Sequence, residues 1–264
     1  MKNLDIKKLL VFIAIIAVIA LAVIFGSKQF FGEKKPSEEE TKKVEELVTT
    51  YFGNLTYGSS TNYMGREKLY AKDKITVSDL NLNNIFNTSM KYATSNGLNI
   101  NVANGVINEI NRSKKYGDVS ECLFYNAEGI KQAAKELFGI ELNEESSINE
   151  FEYLYDFIYI YEYDLYIVKR NDVTDLSSPE YGIDYKFVKT TKKEKDIKTT
   201  IAVAYTYKTG NTRTFAKDSK GENIVAENSE KFPEDKINEF TKYTITLTQT
   251  DNGNYIFKSI EKVK

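Results

Sequence analysis

The 264-residue chain has no histidine and no tryptophan, and Cys122 is its single cysteine. Zinc sites need clustered Cys and His ligands, so neither a structural nor a catalytic zinc is expected. Serine or cysteine triads that rely on an imidazole base are excluded for the same reason. One cysteine cannot close an internal disulfide, so a folded domain here must be held by its core, with Cys122 expected as a small buried apolar side chain. An excess of positive charge is also missing. Residues 1–32 carry four lysines and Asp5, leaving 32 basic against 37 acidic side chains and a net charge of −5 beyond them. That balance offers no basic face to a phosphate backbone, and nucleic acid is not an expected partner.

Nucleotide and acyl-transfer signatures are absent as well. There is no G-x-S-x-G, no P-loop and no dinucleotide fingerprint. Asp79-Leu80-Asn81-Leu82-Asn83 opens like a calcium loop, but Asn84 stands where its glycine belongs and Met90 where its glutamate belongs. Ser259-Ile260-Glu261-Lys262 fits S-x-x-K, yet it falls in an expected terminal strand with no companion motif. No metal, cofactor or catalytic residue is expected on these grounds.

What the chain does have is one long apolar run. Leu9 to Phe25 is seventeen uncharged residues, thirteen of them Leu, Ile, Val or Phe. As a helix it spans about 25 Å, and its insertion into a bilayer is favourable by about 5 kcal/mol. Lys7, Lys8 and Lys28 can snorkel at its ends. Ala20-Leu21-Ala22 would suit a signal-peptide cleavage site, but the run continues through Val23, Ile24 and Phe25. The expected organisation is a short cytoplasmic tail (1–8), a transmembrane signal-anchor (9–25), a linker (26–36) and an extracytoplasmic domain (37–264). The lysine count around the run is nearly even, and N-in, C-out follows from the large C-terminal part.

Within that domain, helices come first. Ser37 with Glu40 forms a capping box, followed by Val44, Leu47, Val48, Tyr51 and Phe52 at helical spacing and Gly53 as a stop. A second helix is expected over Asp79–Asn96 with Leu82, Ile85, Phe86, Met90 and Ala93 inward. A third starts at the Asn126 cap, carries Ile130, Ala133, Ala134, Leu137 and Phe138, and stops at Gly139. Strand patterns follow at 197–207 and 243–249, and Asp251-Asn252-Gly253-Asn254 reads as a type I′ hairpin leading to a return strand at 255–260. Helices packed on a C-terminal antiparallel sheet give an α+β domain, NTF2-like or cystatin-like by analogy.

The segment 155–168, YDFIYIYEYDLYIV, holds five tyrosines and one phenylalanine. Its alternation predicts a strand that folds back near Glu162. Tyr159, Tyr161 and Tyr163 share one parity and are the candidate binding residues. An aromatic face under amphipathic helices favours their burial in the core instead. Asp156, Glu162 and Asp164, on the other parity, are the carboxylates a two-carboxylate hydrolase would draw on. The anchor, together with Y-T-I-T-L and D-N-G-N-Y-I-F near the end, resembles uncharacterised single-pass surface proteins of low-GC Gram-positive bacteria. That resemblance implies a membrane-held, extracytoplasmic bacterial protein whose partner is an envelope protein or polymer. A non-catalytic binding or interaction module is the expected function, and an envelope hydrolase the alternative.

Overall fold

A computed structural model describes residues 33–56, 73–80, 82–98, 102–120, 122–143, 155–170, 181–209, 212–218 and 221–264. The apolar run Leu9–Phe25 lies outside them, as does most of the expected linker. The chain is α+β, with an antiparallel sheet filling its C-terminal part.

Helix α1 (Glu38–Thr56) begins where the capping box places it, the Ser37 hydroxyl accepting the Glu40 N–H at 3.1 Å. It runs through Gly53 rather than stopping there. Val44, Val48 and Tyr51 at i, i+4 and i+7 are fully buried, and this packing outweighs the roughly 1 kcal/mol that a helical glycine costs. The end of the expected linker belongs to the domain: Lys34 exchanges two 2.8 Å backbone hydrogen bonds with Lys192, and Pro36 is buried.

Strand β1 (Lys74–Thr76) leads through a 3-10 turn (Val77–Asp79) into helix α2 (Leu82–Ser95). Asp79 is therefore not helical. Its carboxylate accepts the Thr76 N–H at 2.9 Å and hydroxyl at 2.8 Å, closing the short turn first. Leu82 is correspondingly 42% exposed instead of inward, while Ile85, Phe86, Met90 and Ala93 are buried as the spacing requires. Helix α3 (Asn104–Ser113) was not anticipated. Strand β2 (Leu123–Asn126) runs into helix α4 (Ala127–Phe138), which the Asn126 side chain caps through the Glu128 N–H at 2.8 Å and Gly139 ends at φ +67°.

Strands β3 (Tyr155–Ile160) and β4 (Leu165–Arg170) join β2 in a three-stranded sheet of order β2-β4-β3. The aromatic segment is thus not part of the main sheet. That sheet comprises β1, β5 (Tyr181–Lys193), β6 (Asp196–Thr209), β7 (Thr212–Ala216), β8 (Ile224–Ser229), β9 (Thr241–Gln249) and β10 (Tyr255–Lys262). Its order is β1-β10-β9-β6-β7-β8, with β5 on the other side of β6. Strand β6 reaches two partners along that one edge, β9 against residues 196–203 and β7 against 205–209.

The expected alternation of β6 and β9 holds, with Ile197, Ile201, Val203, Tyr243, Ile245 and Leu247 in the main core. Ala202 and Ala204 enter a second cluster with Phe215, Val225 and Phe240, so β6 is covered on both faces. The β9–β10 connection differs from a type I′ turn, which needs positive φ at both central residues. Here Gly253 alone is left-handed (φ +81°), and the Gly253 N–H reaches Thr250 O at 3.0 Å. This is a three-residue loop closing on a glycine, the next most common hairpin solution.

Candidate functional site

The β3–β4 hairpin holds the candidate residues singled out by the sequence, and its connection displays one of them, Tyr161, while hydrogen bonds engage Glu162 and Asp164. Its register pairs Tyr159 with Tyr166, whose rings lie 5.2 Å apart. On β4, Tyr166 and Val168 enter the main core while Leu165 and Ile167 enter a smaller cluster with Ile110 and Val119. A strand buried on both faces reads as a continuous apolar run rather than an alternation. The fold-back expected near Glu162 is a 3-10 turn over Tyr161–Tyr163, closed by Asp164 at φ +48°, ψ +52°. Asp164 O also accepts the Ala127 N–H at 3.0 Å, which pins the turn to the first residue of α4.

The tyrosines expected to share one face part company here. Tyr159 is half-buried against the main core, Tyr163 is half-buried against the smaller cluster, and Tyr161 is 68% exposed. The fully buried ring is Tyr166, of the opposite parity. Burial of all three candidates is therefore corrected for Tyr161: the turn breaks the period-two register, so parity no longer tracks the face.

Two clusters fix the turn. In the first, the Tyr159 hydroxyl donates to Asp164 Oδ1 at 2.6 Å, and Lys131 Nζ lies 2.9 Å from the same oxygen and 4.8 Å from the Tyr159 ring centroid. In the second, Lys115 bonds Glu162 Oε1 and the Tyr116 hydroxyl donates to Glu162 Oε2 at 2.9 Å. Glu109, beside Tyr163, raises the pKa of the tyrosine hydroxyl. Four non-glycine residues among those described have left-handed backbone, and two of them are here: Asp164 in the first cluster and Lys114 (φ +53°) next to the second. Such conformations cost energy and persist only where surroundings enforce them.

The charges are settled rather than poised. The hydrogen bond from Lys115 holds the Glu162 carboxyl at about 2, well below its ordinary value. Burial would raise Asp164, but hydrogen bonds from Tyr159 and Lys131 leave it lowered. Burial and donation to Asp164 raise Tyr159. Lys131, which burial alone would lower, is raised by Asp164. A general acid needs a carboxyl held up towards working pH, and an activated tyrosine needs its hydroxyl brought down. Neither condition is met in this cluster.

The other residues singled out by sequence fall elsewhere. Asp156 sits on β3 opposite Lys169. Ser259 is 4% exposed inside β10, and Asp79 closes its own turn, so neither belongs to a site. Cys122 is half-buried rather than buried, and lines a groove of about 580 Å³ with Val102, Ala103, Ile107, Leu123 and Phe124. Among the described residues no group of His, Cys, Asp or Glu side chains is placed to hold a metal ion. Among them, too, no helix is long and apolar enough to cross a membrane. Compared with protein-family models, curated proteins and solved structures, the chain matches none.

Proposed function

We propose that this protein is a non-catalytic binding module, held by Leu9–Phe25 at the outer face of a bacterial membrane, whose binding surface is the β3–β4 turn. One observation carries the reading: Tyr161 is 68% exposed on a turn immobilised by two lysine–carboxylate–tyrosine clusters. A displayed aromatic ring on a pre-organised support loses little entropy on binding, and tyrosine is among the residues enriched at interfaces. The partner is an envelope protein or polymer. The NTF2-like or cystatin-like analogy is supported by α1 and α4, which pack against one face of the main sheet.

A photo-crosslinking residue placed at 161 in cells should capture a partner that the same residue at exposed Glu194 does not. Equal capture from both positions would remove the turn from the proposal. External protease on protoplasts should remove residues 33–264 while the remaining fragment stays with membranes. The alternative, an envelope hydrolase, requires paired carboxylates. It would take first place if purified protein cleaved peptidoglycan and Glu162→Gln or Asp164→Asn abolished the cleavage.

A further inference from the structure

Resting on that membrane-held reading, we infer that the two hairpin tips at Glu194–Lys195 and Asp251–Gly253 form the end of the domain that faces the bilayer, and that the Tyr161 turn stands at the opposite end. The direction in which the chain enters the domain carries the first half. Lys34 pairs antiparallel with Lys192, so the chain passes from Lys34 to Glu33 in the direction of the β5–β6 tip. Eight residues, 26–33, separate Phe25 from that pairing, and fully extended they reach about 28 Å. The β9–β10 tip lies beside the first tip: Gln249 N–H bonds Lys195 O at 2.7 Å, and Lys195 Nζ sits 2.6 Å from Asp251.

Helix α4 carries the second half. At its C-terminal end a Cβ on Gly139 would stand 3.4 Å from Ile256, three residues beyond the β9–β10 tip. The helix packs along β10, and its twelve residues rise about 18 Å. At its far end Ala127 and Lys131 bind Asp164 of the tyrosine turn. Helix α2 runs beside α4 in the same direction. It starts from the 3-10 turn packed on β10, and Tyr92 near its end interacts with Glu136 in the last turn of α4, so the two helices lie side by side.

Three ion pairs tie down part of the charge at the tip end, Lys195–Asp251 and Lys258–Asp196 at 2.6 Å and Lys198–Glu33 at 3.9 Å, beside exposed Lys34, Lys35, Lys193 and Glu194. We assign the orientation to the entry point of the tether rather than to attraction to anionic lipid, and the partner of Tyr161 then approaches from the side away from the membrane. The test uses the full chain in proteoliposomes, with Cys122→Ser and a single donor dye on either Asn252→Cys or Tyr161→Cys. The acceptor is a rhodamine-labelled phosphatidylethanolamine headgroup. Energy transfer should be several-fold stronger from 252 than from 161, and unchanged when anionic lipid is replaced by phosphatidylcholine. Equal or reversed transfer in membrane-bound protein overturns the orientation alone. A difference that vanishes in phosphatidylcholine overturns the tether account. Protein that does not partition into the vesicles overturns both this inference and the membrane-held reading.

Discussion

Tyr51 and Tyr166 are both fully buried, yet removing the hydroxyl from each should move stability in opposite directions. The Tyr51 hydroxyl donates to Leu137 O at 2.6 Å. Leu137 lies in the last turn of α4, where carbonyls have no amide four residues on, so this bond completes the helix end. Tyr51→Phe loses the bond and strands a buried carbonyl, at a cost of about 1–2 kcal/mol. The Tyr166 ring packs on Phe86 at 4.8 Å and on Tyr159, but among the described residues its hydroxyl meets no hydrogen-bond partner. Burial raises its pKa, helped by the nearby Tyr159 and Asp164, which fits a hydroxyl in apolar surroundings. A buried hydroxyl without a partner costs about 1–3 kcal/mol, so Tyr166→Phe should gain about 1 kcal/mol. The two variants then differ by more than about 2 kcal/mol, or roughly 5 °C in melting temperature for a domain of this size. Tyr51→Ala and Tyr166→Ala remove whole rings and should each cost about 3–5 kcal/mol, which calibrates the comparison. Urea and thermal melts of residues 33–264 followed by circular dichroism supply the numbers. A loss of about 1 kcal/mol or more in Tyr166→Phe would refute the reasoning, because it would mean that the hydroxyl is bonded.

Tyr161→Ala should stay within about 0.5 kcal/mol of the parent while partner capture is lost, whereas Tyr159→Ala should cost about 1–2 kcal/mol in the same melts. Acid should loosen the N-terminal turn of α1. Burial would raise Glu40, but hydrogen bonds from Lys192 and Tyr255 leave it below its ordinary 4.5. A lowered carboxyl contributes stability above that value and loses it as the pH falls below it. Amide protection factors around Ser37–Thr41, corrected for the intrinsic pH dependence of exchange, should therefore fall below about pH 4.5, and Glu40→Gln should abolish that fall. At Asp164, asparagine tolerates the left-handed backbone and should cost no more than about 1 kcal/mol, the worth of a half-exposed ion pair. Alanine should cost about 1–2 kcal/mol beyond that. Equal melts for Asp164→Asn and Asp164→Ala would show that the turn relaxes.

Much of the fold was legible because its signals are local. The Ser37 and Asn126 caps, the Gly139 stop and the apolar spacing of α1 and α4 depend on residues within one or two turns of each other. Helix α3 was missed for the corresponding reason. Its N-cap is Ala103, which makes no side-chain cap, Gly105 lies in its first turn, and Ile110 is its one buried residue. It is held by the smaller cluster with Val119, Leu165 and Ile167, a tertiary effect that propensity does not record. The stop expected at Gly53 and the start expected at Asp79 erred oppositely. Packing of Tyr51 carried one helix past its glycine, and a local carboxylate turn delayed the other.

The site was legible in composition and illegible in geometry. Sequence singles out the tyrosines, but a period-two pattern assigns faces only while a strand continues, and three turn residues plus Asp164 reset it. What separates Tyr161 from its neighbours is supplied from afar: Tyr116 reaches Glu162 across 46 residues, and Lys131 reaches Asp164 across 33. Each lysine satisfies a carboxylate that would otherwise be an acid–base candidate, and each carboxylate engages a tyrosine hydroxyl that would otherwise face solvent. The same contacts that argue against proton transfer thus stiffen the turn and leave one ring uncovered. Rigid support with fixed charge suits recognition, whereas catalysis needs a group whose protonation state can change within the reaction. That difference, and not the number of tyrosines, favours a binding surface over a hydrolytic site.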